Sequence, residues 1–208
     1  LLSTIYKIFS RILYNRLVPF TEKVIGNYQA GFRMGKSTTD QIFTLKQIIE
    51  KTYEQNIETH HIFIDFSTAY DCIRRVGLYN SMIEMNFPRK LEKLVKTCIE
   101  NSQGRIKLQS EMTEPFVTTN GIRQGDSLAC LLFNIILEKI IRNAGIQTRG
   151  TILHKSTQIL AYADDLDIIG RTENDVKRVF MALICEANIM GLEINERKTK
   201  YMIIGNNN

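Results

Sequence analysis

The sequence predicts an α+β fold in which several helices pack on a small, mostly antiparallel sheet. Three observations support this prediction. Helical apolar periodicity recurs along the chain, short β-branched and aromatic runs interrupt it, and no repeat or linker divides the sequence. With 208 residues, of which 44% are hydrophobic, the chain is long enough for the packed core of one domain or one and a half.

Two amphipathic helices are predicted near the start of the chain. The first is expected to end at Pro19, because proline breaks the helical hydrogen-bond ladder. Its apolar face consists of Ile5, Ile8, Phe9, Ile12, Leu13 and Leu17. A polar loop over 26–36 follows, and Ser37 with Asp40 has the spacing of a capping box for the second helix. The apolar face of that helix consists of Ile42, Leu45, Ile48, Ile49 and Tyr53.

Strands and further helices are predicted in the middle of the chain. The run 61–66 combines apolar, β-branched and aromatic residues, which is typical of a buried strand. A helix is predicted from about Ile73, and another over 91–99 follows a break at a proline. Residues 105–109 alternate in polarity like a strand and are expected to pair with 116–119.

The C-terminal part is predicted to hold a buried helix, a hairpin, an amphipathic helix and a closing strand. Residues 128–141 are strongly apolar, and 157–170 have the pattern strand, turn, strand. Apolar residues recur at helical spacing over 176–187, and Gly191 is expected to end that helix. Residues 201–204 would form the last strand.

Composition limits the classes of function. Lys and Arg total 27 against 22 Asp and Glu, a net charge of +5, which is compatible with a nucleic-acid partner without requiring one. The four cysteines are widely spaced and lack the pattern of a zinc site, so free thiols in an intracellular compartment are expected. The longest apolar stretch, 128–137, is shorter than the roughly 20 residues that span a bilayer, and no signal peptide opens the chain, so no membrane partner is expected.

Two acidic centres stand out against apolar surroundings. Asp65 lies near the end of the predicted strand 61–66, where an ionised carboxylate is costly unless its charge is compensated. Asp164 and Asp165 are adjacent in the predicted hairpin turn, where they repel each other. Taken singly, each centre has a simpler explanation as a salt-bridged strand end or an Asp-rich turn.

Together the two centres favour a metal site. If their strands are neighbours, the carboxylates converge, and hard oxygen ligands of this kind select Mg²⁺ or Mn²⁺. Two such ions about 3.5–4 Å apart form a clamp for nucleotidyl transfer, one at the attacking 3′-hydroxyl and one at the leaving pyrophosphate.

An ordered set of motifs resembles the reverse transcriptases. The motifs are Phe-Ile-Asp-Phe-Ser-Thr-Ala-Tyr-Asp at 63–71, Gly-Ile-Arg-Gln-Gly-Asp-Ser-Leu at 121–128, Tyr-Ala-Asp-Asp at 162–165 and Gly-Leu-Glu-Ile-Asn-Glu-Arg-Lys-Thr at 191–199. Upstream, Tyr-Gln-Ala-Gly-Phe-Arg at 28–33 and Ser-Thr-Thr-Asp at 37–40 are similar to the reverse transcriptases of non-LTR (LINE-type) retrotransposons and group II introns. Each motif alone is weak, but their order over residues 25–205 is specific.

The resemblance implies a right-hand polymerase palm with part of the fingers, divided into a fingers-like part at 1–60 and a palm at 61–208. The implied activity is RNA-directed DNA polymerase, with an RNA template, a DNA primer and dNTPs as partners and Mg²⁺ or Mn²⁺ as cofactor. No part of the chain would supply a thumb or an endonuclease. The chain is therefore expected to belong to a longer polyprotein that provides them, acting in the nucleus and cytoplasm.

The resemblance also implies roles for the acidic centres and their neighbours. Asp65 and Asp164 would be the principal metal ligands, with help from the Phe66 carbonyl, and Asp165 would support the pair or bind the metal on the primer side. Tyr70 would lie under the incoming sugar, where a bulky ring clashes with a ribose 2′-hydroxyl. Its simpler explanation is aromatic core packing.

Further roles follow from the same resemblance. Gln124 and Gly125 would shape the nucleotide and template pocket, since glycine allows close backbone approach. Lys198 would lie near the pyrophosphate and protonate it. Arg33, in preference to Lys36, would neutralise the triphosphate. Asp167 is expected to face away from the site or cap the turn and receives no role.

The sequence departs from the family in one place. Ser-Leu-Ala-Cys at 127–130 stands where the family usually has Pro-Leu-Ser-Pro. Two alternatives therefore remain open. One is a catalytically weak or inactive polymerase-fold scaffold for RNA binding or maturation. The other is an RNA-dependent RNA polymerase, which Tyr70 disfavours.

Overall fold

A computed structural model describes residues 2–100, 102–109, 111–123, 125 and 127–205. The helices in these ranges are α1 (Thr4–Val24), α2 (Thr38–Glu54), α3 (Ala69–Cys72), α4 (Arg75–Glu84), α5 (Arg89–Ile99), α6 (Ser127–Asn143) and α7 (Glu173–Ile189). The strands are β1 (Thr59–Ile64), β2 (Phe66–Ser67), β3 (Gln103–Gly104), β4 (Lys107–Leu108), β5 (Glu111–Met112), β6 (Phe116–Val117), β7 (Thr157–Tyr162), β8 (Asp165–Gly170), β9 (Glu193–Ile194) and β10 (Lys200–Ile204). The α+β prediction is confirmed.

A four-stranded antiparallel sheet in the order β10-β1-β8-β7 lies at the centre of the fold. β7 and β8 form the predicted hairpin, whose turn is Ala163-Asp164. β1 pairs with β8 so that Phe63 faces Asp167 and Ile64 faces Leu166. This register brings the end of β1 level with the hairpin turn.

The main core lies on one face of this sheet. Ile64, Leu166 and Ile168 point into it, and α7 packs on β1 and β8 from that side. α6 packs on α7, α1 and α4, and its apolar residues are almost completely buried, as its unbroken apolar sequence predicts. Leu13 and Leu17 of α1 belong to the same core. The core therefore contains residues from both predicted parts, 1–60 and 61–208.

The opposite face of the sheet is covered only in part. α2 packs there on β7, and a small cluster forms between Ile48, Ile152, Leu160 and Ile169. Beside this cluster a cavity of about 420 Å³ opens between α2 and the sheet. Asp65 and Asp165 line it.

The first helix differs from its prediction. α1 continues through Pro19 to Val24, although proline removes a backbone donor at a cost of about 3 kcal/mol. Leu17 and Thr21, on either side of Pro19, are both buried, so tertiary packing holds the helix together. Ile5 and Ile8, expected on its buried face, are 82% and 59% exposed.

Two other predictions need correction. Residues 105–109 do not form one strand paired with 116–119, because the chain divides there into two short ladders, β3 with β6 and β4 with β5. The strand expected over 61–66 ends at Ile64, and after Asp65 the chain turns into β2, which pairs with β9. The capping box of Ser37 and Asp40 is confirmed.

No described helix is both long enough and apolar enough to cross a membrane.

Candidate active site

The pairing of β1 with β8 brings the two acidic centres together. Ile64 faces Leu166, so one step further along the ladder Asp65 lies level with Asp165. Asp164 occupies the hairpin turn directly before Asp165. The strands that carry the carboxylates are therefore neighbours, as their convergence requires.

The hairpin turn has an unusual backbone. Tyr162 and Asp165 close the β7–β8 ladder, and Ala163 between them has a φ of 57°. This left-handed conformation costs a residue with a Cβ about 1–2 kcal/mol, so contacts around the turn must hold it. Ala163 is itself buried.

The carboxylates repel one another. Burial raises the pKa of Asp165, and the charges of Asp164 and Asp65 raise it further, whereas the Lys198 ammonium lowers it. The Oδ2 atom of Asp65 is buried without a hydrogen-bond partner, and its ion pair with the Lys198 Nζ is long, at 3.5 Å. The site therefore holds more negative charge than its neighbours neutralise.

This donor set fits a hard divalent cation that binds together with a substrate. Among the described residues, no group of three His, Cys, Asp or Glu side chains is arranged as a ready-made metal site. Mg²⁺ usually needs only one or two carboxylates, completing its shell with water and substrate phosphates. The buried oxygen of Asp65, which accepts no hydrogen bond and lies next to Asp165, has the chemistry of such a ligand.

Lys198 is held near Asp65 by backbone contacts. The Asn195 amide donates to the Asp65 carbonyl at 2.8 Å, and the Lys198 amide donates to the Asn195 carbonyl at 3.1 Å. The pairing of Phe66 with Ile194 anchors the same segment. The Lys198 side chain remains 68% exposed, so it is accessible to a ligand in the cleft.

Tyr70 lies beside the carboxylates and is also packed in the core. Its ring lies 5.1 Å from that of Phe133, centroid to centroid, and is tilted by 33°. Burial raises the Tyr70 pKa well above its ordinary value, and nearby Cys130 and Asp164 raise it further. The Tyr70 hydroxyl forms a side-chain hydrogen bond with Cys130. The contact with Phe133 supports the core-packing interpretation, and the contact with the incoming sugar stays a prediction.

The structure does not bring Arg33 to the carboxylates. Its guanidinium is buried, pairs with Glu22 at 2.7 Å and donates to the carbonyls of Gly26 and Gln29 at 2.7 and 3.1 Å. The triphosphate contact expected for Arg33 finds no free guanidinium here, because the loop that carries it uses these donors. Lys36 donates to the Asn27 carbonyl in the same loop.

Two further expected residues precede α6 in the sequence. Gln124 is outside the described residues. Gly125 is exposed and has a φ of 101°, a conformation that favours glycine.

The sequence assigns Asp167 no role and predicts that it faces away from the site or caps the turn, whereas the structure places Asp167 at the cavity. By strand alternation it shares the face of Asp165, and it lines the same cavity. Its Oδ2 lies 3.1 Å from Nδ1 of the fully buried His61, and its Oδ1 has no hydrogen-bond partner. Burial raises the Asp167 pKa, while the His61 contact lowers it. Adjacent histidines at 60 and 61, in a strand next to an acidic hairpin, were the available signal.

The sequence matches the family model for reverse transcriptase (RNA-dependent DNA polymerase) over residues 1–205. The chain belongs to this family. The reverse transcriptase chain is 28% identical to the probable RNA-directed DNA polymerase from transposon BS of Drosophila melanogaster, over 65% of this chain and 15% of that protein. It is 21% identical to the Pol polyprotein of the retrotransposable element R2DM of the same fly, over 82% of this chain and 16% of that protein.

Solved structures confirm the fold. Telomerase from Candida tropicalis, in complex with a fragment of telomeric RNA, superposes with a TM-score of 0.69 and 16% identity, over 96% of this chain and 34% of that one. Telomerase from Candida albicans gives a TM-score of 0.64 at 11% identity. The reverse transcriptase chain thus has the polymerase palm fold and spans about a sixth of the length of the curated relatives above.

Proposed function

We propose that this chain catalyses RNA-templated DNA synthesis, adding dNTPs to a primer 3′-hydroxyl, as part of a longer retrotransposon protein. The observation that carries the proposal is the β1–β8 register, which sets Asp65 beside Asp164 and Asp165. The Asp65 oxygen that accepts no hydrogen bond and the raised pKa of Asp165 support it, because both indicate charge that a cation would neutralise.

Asp65 and Asp164 would hold Mg²⁺ or Mn²⁺, with Asp165 on the primer side and the Phe66 carbonyl as a neutral oxygen ligand. When bound, the metal would supply charge stabilisation at the attacking and leaving oxygens. The contribution of the protein is then positioning, since phosphoryl transfer needs little other chemistry from side chains.

Lys198 would serve the leaving group. Its ammonium partly neutralises Asp65 in the free chain, and the Lys198 side chain is exposed enough to be accessible to a pyrophosphate in the cleft. A proton donated there would stabilise the departing charge.

Tyr70 would select deoxynucleotides. Its ring is fixed by Phe133 while its hydroxyl lies near Asp164, so a ribose 2′-hydroxyl above the carboxylates would meet a rigid obstacle. Gln124 and Gly125 would shape the adjoining template and nucleotide pocket. Arg33 would contribute indirectly, through the loop that its hydrogen bonds hold.

The wider assignments also belong to the proposal. Residues 1–60 would act as part of the fingers and 61–208 as the palm. An RNA template and a DNA primer would be the nucleic-acid partners, in the nucleus and cytoplasm. The rest of the polyprotein would contribute a thumb and an endonuclease.

Primer extension on an RNA template with Mg²⁺ or Mn²⁺ tests the proposal, with dNTPs and NTPs supplied in separate reactions. Asp164→Asn removes a metal ligand and should lower extension by about 10²–10³-fold. Asp175→Asn is the matched control, because Asp175 forms a surface ion pair with Arg178 on α7. Equal activity of Asp164→Asn and the wild type, or preference for NTPs, would contradict the proposed reaction. RNA binding without any extension would favour the scaffold alternative.

A further inference from the structure

The side-chain amide of Gln29 forms two hydrogen bonds with the backbone of the Ala163-Asp164 turn. Gln29 is 0% exposed. Its Nε2 donates to the Ala163 carbonyl at 3.0 Å, and its Oε1 accepts from the Ala163 amide at 2.9 Å. These two bonds hold the peptide groups on both sides of Ala163. The peptide group that contains the Ala163 carbonyl leads directly into Asp164.

Gly31 lets its own backbone approach that of Ala163 closely enough for the Gln29 side chain to form these hydrogen bonds. A Cβ at position 31 would lie 2.1 Å from the Ala163 nitrogen and 2.8 Å from its Cα. The Gly31 amide donates to the same Gln29 Oε1 at 2.7 Å. Residue 31 thus has no room for a side chain, and its N–H orients the amide that holds the turn.

The segment that carries Gln29 is fixed to the rest of the protein. The Ala30 amide donates to the Ala161 carbonyl, and the Ala161 amide donates to the Tyr28 carbonyl, both at 2.9 Å, so residues 28–30 line the outer edge of β7. The Nδ2 of buried Asn134 on α6 donates to the Gly31 carbonyl at 2.9 Å. The segment that carries Gln29 is therefore anchored to α6, whose apolar residues are almost completely buried.

The turn needs such support. Ala163 has a left-handed backbone, and the two carboxylates that follow it repel each other and Asp65. Left alone, both effects favour a rearranged turn. Catalytic ligands must stay within about 0.5 Å of their working positions, which requires rigid support around them.

We propose that Gln29 is a positioning residue for catalysis, which fixes the Ala163-Asp164 turn so that the carboxylates meet the metal in one geometry. This inference rests on the proposed function, since it assumes that Asp164 is a metal ligand. It gives the Tyr-Gln-Ala-Gly-Phe-Arg segment a role that needs no contact with substrate. Arg33 supports the same role through its hydrogen bond to the Gln29 carbonyl.

Mn²⁺ binding to the whole chain tests the inference, with free Mn²⁺ followed by electron paramagnetic resonance. Gln29→Met keeps the length of the side chain and removes both bonds to the turn. Its Mn²⁺ dissociation constant should rise by about 10–100-fold, as found for partners that orient metal ligands. Val95→Ala is the control for general loss of stability, because Val95 is fully buried on α5. It should bind Mn²⁺ like the wild type at temperatures below unfolding.

A wild-type dissociation constant for Gln29→Met would overturn the positioning role, and so would an equal rise in Val95→Ala. The same titration of Asp164→Asn separates the two proposals. If Asp164→Asn binds Mn²⁺ like the wild type, the metal assignment in the proposed function fails. If only Asp164→Asn loses binding, the metal assignment stands and the role of Gln29 falls.

If the Gln29→Met variant fails to fold, two further measurements still test the positioning role. Gly31→Ala keeps Gln29 but forces the turn away, and it should weaken Mn²⁺ binding in the same direction. Hydrogen exchange of the Ala163 amide in the wild type needs no variant. Exchange as slow as that of the β7–β8 ladder is expected from the hydrogen bond of this amide to Gln29. Rapid exchange would contradict the role of Gln29 in holding the turn.

Discussion

The two faces of the central sheet differ in how they are covered. On one face, Ile64, Leu166 and Ile168 join the main core beneath α7. On the other, α2 covers only part of the sheet, and Ile169 belongs to a cluster of a few residues beside an open cavity. The first face carries packing alone, whereas the second combines a little packing with the acidic site.

Successive residues of β8 serve the core and the acidic site in alternation. Side chains alternate along a strand, so Asp165, Asp167 and Ile169 share one face of β8 while Leu166 and Ile168 share the other. A shift of the β1–β8 pairing by one residue would turn the carboxylates into the core. The large core on one face therefore also fixes the register that the site on the other face requires.

The largest effect on stability is expected on the core face. Ile168→Ala should lower the free energy of unfolding by about 2–5 kcal/mol, because a fully buried side chain leaves a cavity in a dense core. Denaturant unfolding measures the loss. Ile42→Ala on the exposed side of α2 is the control and should change stability by less than about 0.5 kcal/mol.

A smaller effect is expected one residue further along. Ile169 is buried as completely as Ile168, but its neighbours border a cavity and can relax toward it. Ile169→Ala should therefore cost about 1–2 kcal/mol less than Ile168→Ala in the same unfolding assay. Equal losses would show that the two faces of the sheet contribute alike to stability.

The smallest effect on stability is expected at the site, and with the opposite sign. The pKa of Asp165 is raised in the folded chain, so its charged form disfavours folding once the pH exceeds that pKa, and this penalty disappears as the pH falls below the unfolded value. At neutral pH and without metal, Asp165→Asn should stabilise the chain by about 0.2–1 kcal/mol, because water screens this exposed group.

Thermal unfolding with a chelator, and then with added Mg²⁺, measures both parts of this prediction. Wild type should gain stability from Mg²⁺, since a ligand that binds only the folded state stabilises it. Asp165→Asn should gain less. If the variant is less stable than the wild type in the chelator, then repulsion among the carboxylates is not the dominant effect.

Local patterns predicted the elements whose signals lie within a few residues. The apolar run at 128–141, the hairpin at 157–170 and the capping box of Ser37 with Asp40 all appear in the structure. The convergence of the carboxylates also followed, since it needed only that two strands be neighbours. These features depend on periodicity and short-range hydrogen bonds.

The remaining features depend on distant contacts. Nothing near Pro19 indicates that α1 continues past it, because the packing of Leu17 in the main core decides this. Gln29 binds a turn 134 residues away, so its neighbours in sequence carry no sign of the role. The chemistry of guanidinium predicts a phosphate partner for Arg33, but nearby carbonyls and Glu22 compete for the same donors.

Gly31 affects how copies of such a gene can be compared. A mutation that adds even a methyl group there meets the Ala163 nitrogen at 2.1 Å, although it changes none of the acidic residues. Under the proposed function, a copy with all three carboxylates intact would then lose its working geometry. Surveys that judge a copy by its acidic motifs alone would count it as competent, and position 31 should be inspected with them.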